Sequence, residues 1–307
     1  MNWKVKANTL AVLSRMPGGR RLYHALQARL NARKKDDDNF LSRALEVVEM
    51  LQAAGADPRG ARYLEIGTGW RPFVPFLLYL VGAEQIVTYD VNRWLNQAYA
   101  LQTFAVLADR VGLIAERLKL DVADLQKRAD AVGTQASDLA GLLHSMKIDY
   151  RCPADARSTG LPAQSMGFMV SSNVLAHIPP EILRGIHREG FRVLRPGGLV
   201  VHRSNLDDHF SYVDSSITKA NFLRFSEAQW RWYGGTGLGY HNRVRGVQHR
   251  RLLEEAGFQV LSEREQVDPR SLEALQTGAV PVHPDFASFT PEELAASYLW
   301  IVCKRPD

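Results

Sequence analysis

Two cysteines among 307 residues, Cys152 and Cys303, are too few for a disulfide framework, and that scarcity predicts a reduced, cytoplasmic protein. No run of 18 or more apolar residues occurs, which excludes a single uninterrupted spanning helix. The chain contains no internal repeat and no long low-complexity segment. No His, Asp and Glu set shows obvious metal-ligand spacing, so the expected metal complement is none. Acid is missing altogether from residues 1–35, which hold nine Lys or Arg. The chain has 38 bases and 33 acids in all, so the remainder carries a formal −4 and the basic excess is confined to the first helices. With 46% hydrophobic and 23% charged residues, there is material for one sizeable core with additions.

What is present is concentrated in Arg62-Tyr63-Leu64-Glu65-Ile66-Gly67-Thr68-Gly69-Trp70 and in Ile86-Val87-Thr88-Tyr89-Asp90. The first reads as a short apolar strand entering a glycine turn and then a helix. Glycine lets the backbone pass close beneath a ligand where a Cβ would collide. The second reads as another buried strand ending in an acid 21 residues beyond Gly69, suited to ribose hydroxyls. Dinucleotide-binding folds share both features. Two details separate them from this chain: Glu65 precedes the first glycine by two residues, and Pro72 stands where a third glycine would be expected. A buried acid beside the turn would repel a pyrophosphate but suits a ligand carrying an amino group and a sulfonium.

At this point the sequence resembles the class I S-adenosylmethionine (SAM)-dependent methyltransferases, whose first motif is an acid-x-Gly-x-Gly turn. The resemblance extends over residues 60–205 and resumes at the C-terminus. Ile148–Cys152 reads as a third strand, followed by Asp155 and Ala156; the resemblance puts Asp155 on the adenine amino group. Phe168–Asn173 reads as a fourth strand, leading to His177. Relatives that chelate a metal through a glutamate in this segment would not do so with Ala176. A helix opens at Pro179-Pro180 with Ile182, Leu183, Ile186, Val193 and Leu194 on its apolar face, and Arg195-Pro196-Gly197-Gly198 ends it. Leu199–His202, Phe258–Leu261 and Tyr298–Val302 read as the last strands.

The alternation predicts an α/β fold: a Rossmann-like, seven-stranded, mostly parallel sheet with helices on both faces, plus N-terminal helices and helical insertions. The cofactor implied is S-adenosyl-L-methionine, held by Glu65, Gly67, Thr68, Gly69, Asp90, Asp155, Ala156 and Asn173.

Residues 1–58 are expected to form basic and amphipathic helices ahead of a methyltransferase domain over 59–307. Leu22, Leu26 and Leu30 make an apolar stripe beside Arg20, Arg21, Arg29 and Arg33. Such a helix suits packing on the core with its bases in water, contact with an anionic membrane, or an organelle transit peptide. Nucleic acid is a poor fit without a reading motif. Leu41, Leu45, Val48 and Leu51 mark a further helix that covers the sheet or closes over the ligand. Trp94–Met146 reads as two or three inserted helices on Leu113, Ala115, Leu118, Leu120, Val122 and Leu125, serving as a packing or homodimer layer or as a substrate lid. A second insertion, near 209–246, is aromatic: Phe210, Tyr212, Phe222, Phe225, Trp230, Trp232, Tyr233, Tyr240 and His241. With Asn221, Arg224, Asn242 and Arg243 it suits a sugar or other polyhydroxylated acceptor, or simply its own packing.

His202–Phe210 is the densest titratable segment expected at the rim. His209 with Asp208 ranks first as general base and orienting acid, then His202, then His177. The Leu206-Asp207-Asp208-His209-Phe210 stretch resembles one in uncharacterised methyltransferases, some from polysaccharide or lipid-linked glycan pathways. The expected function is O-methylation of a sugar or small hydroxylated acceptor. Nitrogen, carbon or nucleic-acid acceptors, and a non-catalytic SAM-binding role, are the alternatives.

Overall fold

The computed structural model describes residues 2–19, 21–23, 36–133 and 138–307. Its centre is one seven-stranded sheet: β1 (Arg62–Ile66), β2 (Gln85–Tyr89), β3 (Ile148–Arg151), β4 (Met166–Ser172), β5 (Leu194–Asn205), β6 (Gln259–Val267) and β7 (Ala296–Lys304). The spatial order is β3-β2-β1-β4-β5-β7-β6. β1 to β5 pair in parallel, while β7 runs antiparallel between β5 and β6. The central strands β1, β2 and β4 are buried almost throughout because helices cover both sides of the sheet.

On one face lie α2 (Asp37–Ala53) and α3 (Phe73–Leu80), with the inserted α4 (Gln97–Asp109), α5 (Val111–Leu118), α6 (Val122–Gly133) and α7 (Leu139–Ser145). α3 is apolar all round and wholly buried between its neighbours, as a helix without a polar face must be. Leu41, Leu45, Val48 and Leu51 of α2 join the same core, so α2 covers the sheet. The insertion is therefore a packing layer of four helices, with Leu107, Ile114, Leu118, Leu125 and Leu142 in that core. Two residues expected on its apolar face, Leu113 and Val122, are exposed; Ala115, Leu118 and Leu125 are buried as expected, and the helix phase also turns Ile114 inward.

The opposite face carries α8 (Pro180–Val193) and α10 (Gly246–Glu255), whose Ile186, Val193 and Leu253 join Met169 and Val200 of the sheet in one core. β5 begins at Leu194, ahead of the expected start, and passes through Gly197 at φ +74°. β6 runs well beyond Leu261; its Glu263, Arg264 and Glu265 occupy an edge strand, where charge discourages pairing with another chain.

A third cluster lies beyond the carboxyl end of β5. It gathers Phe210, Phe222 and Trp230, the last on α9 (Glu227–Tyr233), with Trp3, Ala7 and Leu10 of α1 (Trp3–Arg15). Phe286 and Leu294 complete it from the segment between β6 and β7, which holds α11 (Pro269–Gln276) and α12 (Pro291–Ala295). α1 and α2 thus serve different places: α1 packs on the second insertion, and α2 on the sheet. Leu22 is exposed, whereas Leu26 and Leu30 lie outside the described residues.

Candidate functional site

β1, β2 and β4 end side by side, and the turn after β1 faces the loops after the other two. Gly67 adopts φ +85°, and a Cβ there would lie 2.4 Å from Cγ2 of Val174 in the loop after β4. Gly69 adopts φ +66°, and a Cβ on it would meet nothing within 4 Å. The first glycine is required by packing, and the second leaves an open concavity. Gly69 N–H donates to Asp90 Oδ2 at 2.9 Å, and Asn92 N–H donates to Oδ1 at 2.9 Å. Burial raises the Asp90 pKa, and these backbone donors oppose the rise. The acid ending β2 is therefore preorganised on the glycine turn itself.

Glu65 is buried beneath the turn, where Thr88 Oγ1 donates to its Oε2 at 2.5 Å; Thr68 Oγ1 lies 2.5 Å from the Thr88 hydroxyl. Burial pushes the Glu65 pKa up to about 8, relieved by the Thr88 hydroxyl and reinforced by Asp90. Asn173 sits in the left-handed region at φ +57°, accepting from Arg203 Nη1 at 2.5 Å. Asp155 is half-exposed beyond β3 and clasped by Arg157 at 2.6 Å; Ala156 beside it is buried.

Several residues at this rim escaped the sequence reading. Val91 follows Asp90 and is 69% exposed, an apolar surface for a flat ring. Trp70 and Trp94 stack with centroids 4.5 Å apart, bracketing the loops after β1 and β2. Glu46 of α2 accepts from Arg203 Nε at 2.6 Å and from Trp300 Nε1 at 2.7 Å, and so ties α2 to β5 and β7. No local pattern announces a contact between residues so far apart in the chain.

Six of the described histidines fall into two groups. His202 is a correction: it is fully buried on the α8 and α10 face, with Nδ1 2.8 Å from Ser171 Oγ and its ring 5.4 Å from that of His187. It therefore stands away from solvent and cannot serve as a base at the rim. Strand alternation places position 202 on the same face as Val200. Burial drives His187 down to about 4 and His249 to about 3, and lowers His202 well below its ordinary value. All three are thus neutral in the fold, whereas an unfolded histidine titrates near 6.5. Their contribution is present above pH 6.5 and is lost as pH falls toward 4, because only the unfolded chain takes up the protons. We expect the unfolding free energy from urea titrations to fall over this window by about 1.4 kcal/mol per pH unit for each histidine, and by correspondingly less in His187→Gln. Identical slopes for the two proteins would show that His187 is not held neutral.

The second group does stand at the rim. His209 lies 4.9 Å from the His177 ring, 4.8 Å from His241 in parallel stacking, and 5.6 Å from Tyr212. Its Nε2 is buried without a hydrogen-bond partner. Asp208 does not orient His209 as expected. Its carboxylate accepts from Phe210 N–H at 2.9 Å and Asn221 Nδ2 at 3.1 Å, and lies 3.5 Å from His241 Nε2. The expectation paired neighbours in sequence, but consecutive side chains diverge, and the imidazole facing Asp208 comes from the far end of the insertion. Asn242 holds that end over the loop after β4, donating to the Leu175 and Ile178 carbonyls at 2.8 Å. Phe210, Phe222, Trp230 and Arg243, expected in part to stack on an acceptor, are buried in the insertion's own core; Tyr212 remains exposed.

A parallel sheet extended by an antiparallel β7, a glycine turn closing on Val174 and an acid fixed at the end of β2 define a SAM-dependent methyltransferase, with SAM as cofactor. The chain belongs to the methyltransferase-domain family, whose profile matches residues 39–263. The geranyl diphosphate methyltransferase solved with SAM is 12% identical, with 86% of this chain and 85% of that one covered at a TM-score of 0.47. A SAM-dependent methyltransferase from Methanosarcina mazei is 14% identical, with 81% and 93% covered at 0.44. One from Mesorhizobium loti is also 14% identical, with 84% and 96% covered at 0.41. Likenesses this distant do not bear on substrate. No curated protein matches the chain in sequence.

Proposed function

We propose that this methyltransferase acts on a hydroxyl of a sugar or other small polyhydroxylated acceptor, with His209 as general base. The observation that carries the proposal is the unpartnered Nε2 of His209, in a stack of three histidines and a tyrosine above the loop that closes on Gly67. Burial lowers the His209 pKa well below its usual value, with His241, His177 and Lys6 adding to the effect. The ring is therefore neutral and able to accept a proton at physiological pH.

SAM supplies an electrophilic methyl group on a sulfonium. The chain's own residues do the rest. The Gly67-Thr68-Gly69 turn would admit the cofactor closely, Asp90 would receive ribose hydroxyls, and Val91 and the buried Ala156 would flank the base. Glu65 and Asn173, the latter held by Arg203, would serve its amino-acid portion. His209 would take the acceptor proton as the acceptor oxygen bonds to the methyl carbon, the carbon–sulfur bond breaking to release the neutral thioether. Asp208, buried beside the His209–His241 stack, offsets the positive charge that develops there. Tyr212 Oη, which donates to Asp207 Oδ2 at 2.7 Å and accepts from Asn205 Nδ2 at 2.6 Å, keeps one lone pair for a donor on a polar acceptor.

Asp90→Ala is expected to weaken SAM binding by about 1.5–3 kcal/mol, roughly tenfold to a hundredfold, by removing hydrogen bonds to a charged group. Calorimetry on the folded variant checks this, and unchanged affinity would remove Asp90 from the site. The acceptor reading is tested with methyl-labelled SAM against separate pools of sugars, polyols and amines. Label entering the sugars and polyols supports it, and label confined to amines rejects it.

A further inference from the structure

The face of α1 opposite its buried side is apolar. Trp3, Ala7, Leu10 and Ala11 pack inward, yet Val5 is 60% exposed, Val12 53% and Met16 53%. Val5, Thr9, Val12 and Met16 recur at intervals of four, three and four residues, so they form one ridge along the helix. The Thr9 hydroxyl is turned onto the Val5 carbonyl at 2.8 Å, which satisfies the polar group on the ridge. Leu22, beyond the helix, is 64% exposed.

Charge and aromatic character flank this ridge. Lys4 and Arg15 lie along one side of it, and Arg21 follows, all exposed. Trp232 of α9 borders the same side, 45% exposed, with its Nε1 on Asn8 Oδ1 at 2.9 Å and its ring 4.4 Å from the Arg15 guanidinium. An indole half in water beside bases and aliphatic side chains has the character of a bilayer interface. The helix is rigidly placed, since Trp3 N–H donates to Asp214 Oδ2 at 2.9 Å and Trp3 packs on Phe210, Phe225 and Tyr233.

We propose that the outer face of α1, with Trp232, is a docking surface for an anionic lipid membrane. Charge selects this occupant over a second copy of the chain. A two-fold pairing of ridges would bring Lys4 of one helix toward Arg15 of the other, and residues 1–35 contain no acid to relieve the repulsion. Anionic headgroups meet the same bases favourably, each contributing about fivefold in binding near such a surface. No single helix among the described residues is long and apolar enough to cross a bilayer, so the contact is peripheral. The inner face of α1 packs on the segment carrying His209, so docking would hold the acceptor side of the site about one helix diameter, roughly 10 Å, from the lipid.

The test is co-sedimentation of the full chain with phosphatidylcholine vesicles, with and without phosphatidylglycerol. We expect binding to depend on phosphatidylglycerol and to fall as salt rises from about 0.01 M to about 1 M. Val12→Asp/Met16→Asp should weaken it at least tenfold, and Lys4→Glu/Arg21→Glu at least fivefold, with SAM affinity unchanged in both. These side chains are exposed, so the fold should tolerate the changes. Absence of binding at low salt, or equal binding to uncharged vesicles, overturns the proposal. So does a wild-type dimer in sedimentation equilibrium that Val12→Asp/Met16→Asp converts to monomer, since the ridge would then be a seam between copies.

Discussion

Gly67→Ala is expected to lower SAM affinity by at least a hundredfold. The added methyl would lie 2.4 Å from Val174 Cγ2 and 2.7 Å from its Cβ, well inside contact distance, at a backbone φ of +85° that side-chain-bearing residues rarely adopt. Overpacking of this kind costs about 1–3 kcal/mol, and the left-handed backbone adds about 1–2 kcal/mol. Relief would require the turn or the loop after β4 to shift. The same shift would pull Gly69 N–H away from Asp90 and disorganise the proposed ribose site. Calorimetry with SAM, alongside thermal melts with and without it, separates lost binding from lost folding. Gly67→Ala/Val174→Gly should recover part of the affinity, because the clash is removed while the strain persists. A Gly67→Ala protein that binds SAM like the wild type would show that the turn does not carry the cofactor.

His209→Ala is expected to reduce turnover by about 10²–10⁴-fold with SAM affinity little changed, the scale for loss of a general base. The pH dependence follows from its environment. Burial holds the folded pKa well below the ordinary histidine value, so the catalytically useful neutral form persists below pH 6.5 and activity declines only as pH drops further. Asp208→Asn should have a smaller effect, since Asp208 stands against His241 rather than His209; it should also shift the acid limb of the rate profile to higher proton concentration by destabilising the protonated stack. Single-turnover methyl transfer against pH reads both. Near-normal rates in His209→Ala would mean that placement of the acceptor alone suffices, as for a nucleophile that needs no deprotonation.

The sheet strands and the glycine turn were legible in the chain because their determinants are local. A short apolar run rich in β-branched and aromatic residues and closed by turn residues reads as a buried strand, and Gly67 and Gly69 occupy backbone regions that other residues resist. The placement of Glu65 and Asp90 beside the turn was legible for the same reason, since each adjoins a strand end. β6 was read short because an edge strand alternates charge with partial burial and resembles a loop. The segment between β6 and β7, with Phe286 and Leu294 in the third core, left no periodic signal of useful length.

What the tertiary structure decided is how distant segments meet. His209 and His202 ranked first and second as candidate bases in sequence; a strand face sends His202 beneath α8, and a short turn sets His209 beside His177. Asp208 faces His241 because the insertion folds back on itself around Phe222 and Trp230, a closure made by packing and recorded in no spacing. The sequence by itself determined a basic, amphipathic start to the chain. Only packing decided that α1 would bury Trp3 and Leu10 against the second insertion and leave Val5, Val12 and Met16 outward. Apolar residues lie on both sides of that helix, and the side that is buried depends on which neighbour presents a complementary surface.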